Sequence, residues 1–258
     1  MTTLTAGTVY KKNFISEALL RIDFQTPIDL TSDVIKKYKT DLGIADVELK
    51  ERSVQQVQMK FEKDNKHVDW INVGTSGQYI FNEGKSFFEL DPQHFLLLTN
   101  RYEHFPGFIE IFRLGYVKFQ ALVAVKEFKR IGLRFLNKIK IKEGMELNEW
   151  QKYINHDFIP NYSSTNSPLD KFSLRRNRNL FVYGDGEYLI NIHTGIWNNN
   201  YPGIISDQEF ILDIDCYVDN IILSDNDILK KPHEMSDLTF KYFELIASDD
   251  LKALMREG

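Results

Sequence analysis

The chain has 258 residues, 43% of them hydrophobic and 13% aromatic, which fills one large core or two packed subdomains and excludes a disordered or fibrous protein. A net charge of −5 excludes a uniformly basic nucleic-acid binder, and a single cysteine, Cys216, excludes an intramolecular disulfide or a thiolate zinc cluster. No apolar run approaches the ~20 residues of a membrane span, and the opening MTTLTAGTVYKKNF lacks the apolar stretch of a signal peptide, so a cytoplasmic protein with no membrane partner is expected.

Ile15–Phe24 alternates Ala18, Leu20, Ile22 and Phe24 with more polar neighbours and reads as a strand; Asp29–Leu42 reads as helix, with Thr31 or Ser32 as its cap. Four strand-like pieces follow, Gln55–Glu62 (Val57, Met59 and Phe61 on one side), His67–Val73, Gln78–Phe81 and Ser86–Leu90. Asp64-Asn65, Gly74–Gly77 and Asn82–Gly84 serve as connections, which makes an antiparallel meander. Gly107–Val123 spaces its apolar residues as a helix does, behind Pro106, a residue suited to the first turn. In Lys126–Lys142, Ile131, Leu133, Phe135, Ile139 and Ile141 occupy odd positions, while Arg134, Lys138, Lys140 and Lys142 occupy even ones. That is the period of a strand buried on one side, expected to lie inside the sheet. The segment has seven basic residues and one acidic, which leaves −11 for the remainder and confines attraction for an anion to a patch.

Leu147–Ile154 reads as a short helix, and Asn155–Asp170, with Pro160 and Pro168, as a long loop. Leu180–Tyr183 and Tyr188–Ile192 flank Gly184-Asp185-Gly186, whose Asp-Gly pair signals a hairpin, and Phe210–Val218 supplies another strand. After Pro232 two helices are expected, Leu238–Ala247 capped by Ser236 and a shorter one through Met255 capped by Ser248. The whole is an α+β pattern: antiparallel sheet with helices packed on one face, in two related subdomains, residues 1–145 and 146–258.

Several strings, taken together, are similar to a sporadically distributed bacterial protein family of unknown function. Tyr10–Phe24, YKKNFISEALLRIDF, resembles its opening strand. Gly132–Asn137, GLRFLN, resembles its Gly-Leu-Arg-aromatic-Ile-Asn signature, and Leu212–Asp215 its Leu-Asp-Ile-Asp strand. His233 followed by Phe240 or Phe243 resembles its closing histidine-then-helix pattern. The resemblance implies a prokaryotic protein and an accessory role near defence or mobile-element genes; for such a protein a partner, encoded by an adjacent gene, is expected.

Candidate site residues carry competing roles. Arg134 and Asn137 are three apart and so face opposite sides of a strand: Arg134 binds a carboxylate or phosphate, or pairs with an acid on the next strand, and Asn137, among apolar residues, must satisfy buried backbone or face a ligand. Lys138 joins the basic side. Asp213 and Asp215 share a face and are weak metal candidates without further ligands; otherwise that face is simply solvated. His233 binds a partner or is structural. Asp91-Pro92-Gln93-His94 and Tyr102-Glu103-His104 put histidines near acids at no recognisable metal spacing. Cys216 sits on an apolar face that disfavours its thiolate.

No phosphate-binding loop, dinucleotide turn, zincin helix or nucleophile elbow is present, so no catalytic residue and no cofactor is assigned. The favoured reading is a non-catalytic interaction or sensor module, with Trp70, Trp150 and Trp197 as surface candidates. The alternatives are nucleic-acid binding through Arg134, Lys138 and Lys140 extended by Arg175, Arg176 and Arg178, which the acidic remainder disfavours, and a metal-dependent hydrolase or nucleotide-processing enzyme using Asp213, Asp215 and His233.

Overall fold

The computed structural model describes residues 10–43, 48–62, 65–81, 84–142, 145–159, 174–205 and 208–257. The opening segment through residue 9, most of the Asn155–Asp170 loop, the Asp64 and Asn82 turn positions, and the side chains of Val57, Met59, Phe61 and Trp70 lie outside the described residues.

The fold is α+β. Among the described residues β2 (Glu48–Glu62), β3 (Asn65–Phe81), β4 (Ser86–Leu90) and β5 (His94–Thr99) form one antiparallel meander, and β7 (Asn179–Asp185), β8 (Tyr188–Trp197) and β9 (Glu209–Leu223) form a second. With β1 (Ile15–Phe24) and β6 (Phe128–Ile139) they make a nine-stranded sheet in the order β2-β3-β4-β5-β1-β6-β9-β8-β7. Backbone bonds from Lys138 to Phe14 and from Gln25 to Glu127 run β1 and β6 antiparallel. The basic segment is thus an internal strand, as its alternation requires.

Packing yields two compact units built from discontinuous segments. One holds the chain up to Ala18, Leu133–Val218 and His233 onward; the other holds Leu19–Gly132 and Asp219–Pro232. The division of 1–145 from 146–258 read from the sequence follows element order, whereas the units of packing are not contiguous.

In the Leu19–Gly132 unit, α1 (Ser32–Leu42) is capped by Thr31, whose hydroxyl accepts from Val34 N, and α2 (Phe105–Val123) by His104, whose ring accepts from Gly107 N, with Pro106 in the first turn. Both ends agree with the sequence signals. Phe119 on α2 stacks on Phe24 and Phe95, at 5.6 and 5.1 Å between centroids, and Tyr38 on α1 donates to Gly115 O at 3.0 Å. Phe128 belongs to this core, 6.2 Å from Phe24, although its even position breaks the parity of Ile131, Leu133, Phe135 and Ile139.

In the other unit, Leu133, Phe135, Ile139, Ile190, Ile192, Phe210, Leu212 and Ile214 are buried. Helices α3 (Trp150–Tyr153), α4 (Asp225–Ile246, from His233 onward) and α5 (Asp249–Glu257) pack there: Trp150 lies 5.4 Å from Phe210, and Tyr188 donates to Glu234. Trp150, expected at the surface, is fully buried. Cys216 is buried too, and burial pushes its thiol up to about 12.

Two further expectations need correction, and one strand left no signal in the sequence. Gly74–Gly77 is not a connection: β3 runs through it, paired to β2, and a register shift at Gly74, opposite Val54, leaves Val73 out of the pairing. β5 has no alternation because HFLLLT is buried on nearly all sides, so periodicity could not reveal it. Pro232 lies inside α4, whose cap is Ser224 and not Ser236; Ser224 and Asp227 exchange hydrogen bonds, and buried Ile228, Met235 and Ile246 hold the helix across the missing N–H. The cap at Ser248, accepting from Leu251 N, is as expected. In the β7–β8 hairpin the turn residues are Gly186-Glu187, with Gly186 at φ 65°, so only the glycine of the Asp-Gly pair sits in the turn.

A Cβ at Gly115 would lie 2.3 Å from the Phe88 ring, so α2 can approach β4 this closely only through glycine. Alanine would gain about 1 kcal/mol of helix propensity and lose about 1–3 kcal/mol to overpacking. Gly115→Ala is expected to lower the urea midpoint; an unchanged midpoint would show that Phe88 yields freely.

Candidate functional site

Alternation on three strands leaves one face of β6, β9 and β8 away from α4. Arg134, Leu136 and Lys138 of β6, Ile211 and Asp213 of β9, and His193, Gly195 and Trp197 of β8 line a cavity of about 290 Å³ on it. Arg176, Asn177 and Arg178 complete the wall as a strap beside β8. Gly195 lets the strap come this close: its φ is +154°, and a Cβ there would sit 2.1 Å from Asn177 O. The strap is tied down by Asn177 N donating to Ile196 O at 3.3 Å and by Asn198 Nδ2 donating to Arg175 O at 2.9 Å.

The lining carries four fixed cations, Arg134, Lys138, Arg176 and Arg178, against one carboxylate, Asp213. That carboxylate is engaged: Arg134 Nε and Nη2 donate to its two oxygens at 2.7 and 2.9 Å, a bidentate pair. Asp213 is 6% exposed at its side chain and Arg134 37%, so the acid is shielded while one flank of the guanidinium meets the cavity. Arg178 Nε donates to His193 Nδ1 at 3.3 Å. Burial first and the Arg178 charge second pull the His193 pKa down, which keeps the ring a neutral acceptor at neutral pH. The Arg176 guanidinium lies 4.2 Å from the Trp197 ring centroid and 5.9 Å from that of Tyr201, an arrangement of cation over aromatic faces beside the rim.

The structure brings Arg134, Lys138, Arg176 and Arg178 together from segments far apart in sequence. Arg134 pairs with an acid on the next strand, one of the two roles read from the sequence. Asn137 faces the core instead: it is 4% exposed, and its Nδ2 donates to Leu212 O at 3.0 Å. His233 is exposed on α4 and does not line the cavity. Asp213, Asp215 and His233 do not form a metal-ligand group; among the described residues only Glu89, Asp91 and His94 do. Sequence reasoning missed His193, Gly195 and the strap contact. The available signal was the odd-numbered series His193, Gly195, Trp197 within one strand, with a glycine where bulk was expected.

Comparison with known proteins finds no family model that matches the chain and no curated protein similar to it in sequence.

Two stability outcomes follow from this geometry. Asn137→Leu is expected to cost about 1–3 kcal/mol in urea unfolding, because Leu212 O loses its buried donor; an unchanged midpoint would mean that the amide contributes nothing to the sheet. Arg134→Met strands a buried carboxylate and is expected to cost about 2 kcal/mol, less than for a fully buried pair because the guanidinium is partly solvated. The double variant Arg134→Met with Asp213→Leu should recover most of that loss. A double variant as unstable as the sum of the singles would contradict this account of the pair.

Proposed function

We propose that this chain is a non-catalytic binding or sensor module, and that it recognises an anionic partner through the basic basin on β6, β9 and β8. The observation that carries the reading is the excess of four cations over one already-paired carboxylate around a single cavity. Convergent positive charge in a concave, partly apolar site attracts anions and discriminates among them by shape.

The partner we favour is an acidic segment of another protein. Leu180 and Val182 of β7, the last strand of the sheet among the described residues, are 56% and 58% exposed and stand opposite His193 and Asn191, so an apolar strand edge adjoins the basin. Recognition by added strand and by charge would then act together. The family resemblance supports this reading by implying a prokaryotic protein with an accessory role near defence or mobile-element genes. A nucleic-acid strand is the second reading, which Arg176 against Trp197 and Tyr201 favours, since phosphate and base would each meet a matching group. The hydrolase reading has the least support, because Asp213 is engaged by Arg134 and His233 lies on another element.

The test is fluorescence anisotropy with an acidic peptide series drawn from adjacent gene products and with single-stranded DNA and RNA, at two salt concentrations. Lys138→Ala and Arg176→Ala are expected to weaken peptide binding about tenfold each, and Gly195→Ala, which displaces the strap, at least as much. Tight, salt-steep binding of oligonucleotides lost in the same variants would replace the protein partner by nucleic acid. Binding of neither class, or binding indifferent to all three substitutions, would remove the basin as the recognition surface.

A further inference from the structure

The β4–β5 turn in the Leu19–Gly132 unit holds a second chemical cluster, separate from the basin. Asp91 N donates to His94 O at 3.0 Å across the turn, and Asp91 Oδ1 accepts from Gln93 N at 2.7 Å and from His94 N at 2.8 Å. Its other oxygen, Oδ2, lies 2.8 Å from His94 Nδ1. The backbone therefore fixes the carboxylate, and the carboxylate fixes the imidazole with Nδ1 as the donor. The remaining ring nitrogen, Nε2, points to Glu89 of β4.

His94 is 8% exposed, and its Nε2 is buried without a hydrogen-bond partner. Glu89 Oε1 is 3.4 Å away, and the ligand atoms of Glu89, Asp91 and His94 all lie within 4.8 Å of one another. A separation of 3.4 Å is long for a hydrogen bond to a charged acceptor. It matches the ~3.4 Å between two ligands that each stand ~2.0–2.1 Å from a tetrahedral ion. An imidazole held from its far nitrogen by a carboxylate is also how metal-binding histidines are oriented.

The competing occupant of Nε2 is a proton. Burial opposes a charged ring, but the bond to Asp91 and the closeness of the Glu89 carboxylate outweigh it and raise the His94 pKa. Arg21 lies close enough to oppose that charge, and is itself bonded to Asp23 at 2.7 Å. A dication between Nε2 and Glu89 Oε1 would face both the Glu89 and the Asp91 carboxylates.

We propose that Glu89 and His94 bind a divalent ion of the zinc class through Oε1 and Nε2, with Asp91 holding the imidazole from behind and water completing the coordination sphere. The ion clamps the β4–β5 turn. Because it displaces a proton, its affinity falls as pH falls.

Chelator-treated protein is titrated with Co²⁺, read by its visible absorption, and then challenged with Zn²⁺. The expected result is a saturable one-equivalent signal that Zn²⁺ displaces. Glu89→Gln and His94→Gln should each weaken it at least tenfold, Asp91→Asn about tenfold, and His233→Gln not at all. Absence of a saturable signal in the unmodified protein overturns the proposal, as does its retention in both ligand variants. Should those variants misfold, the ring-nitrogen NMR spectrum of the unmodified protein decides. Zn²⁺ must shift the Nε2 of one histidine whose Nδ1 keeps its proton, and a spectrum in which none moves overturns the site equally.

Discussion

An internal strand must satisfy two faces at once, and β6 does so with opposite chemistries. Leu133, Phe135 and Ile139 are buried on one side. On the other stand Arg134 and Lys138, where no apolar layer covers them among the described residues. Backbone pairing on both edges forbids the strand from moving to relieve either demand. Charge inside a sheet is tolerable only where water or an opposite charge meets it. The open face thus follows from the fold, and the basin from the open face.

Asp213 sets the character of that face. Without it Arg134 would be a cation at the centre of a sheet with no fixed direction; with it the guanidinium is a planar, oriented donor whose free flank faces the cavity. The same pairing removes the one lining carboxylate from service as a general base or metal ligand. Under the proposed reading, this ion pair leaves the cavity suited to recognition of an anion. His193, held neutral beside Arg178, adds an acceptor and not a fifth charge.

Local signals in the sequence were legible wherever one element decided the outcome. Thr31, Pro106 and Ser248 mark helix starts because capping depends on three or four neighbouring residues, and β6 is visible because its alternation has a fixed period. What failed depended on partners distant in sequence. Gly74–Gly77 looks like a turn until β2 is placed beside it, and Pro232 looks like a break until packing of Ile228 and Met235 is known. The basin shows the same division. Arg134 and Lys138 were identifiable from the strand itself, and Arg176 and Arg178 from their clustering; Gly195, which seats the strap against β8, signals nothing without Asn177 above it.

Net charge is the property most easily misread here. The chain carries −5 overall, yet a surface charge is felt through water only over about a Debye length, ~8 Å at physiological ionic strength. An anion in the cavity meets Arg134, Lys138, Arg176 and Arg178 in its lining, with Glu17 and Asp215 close enough to act on Arg134. The balance reverses for a large polyanion, which extends beyond the basin and brings most of its charge against an acidic surface. A cavity of about 290 Å³ is at the small end for ligand sites and suits one or two side chains or a single nucleotide. Under the proposed reading, size and charge therefore act in the same direction: for a short anionic segment or a strand end, and against the side of a duplex.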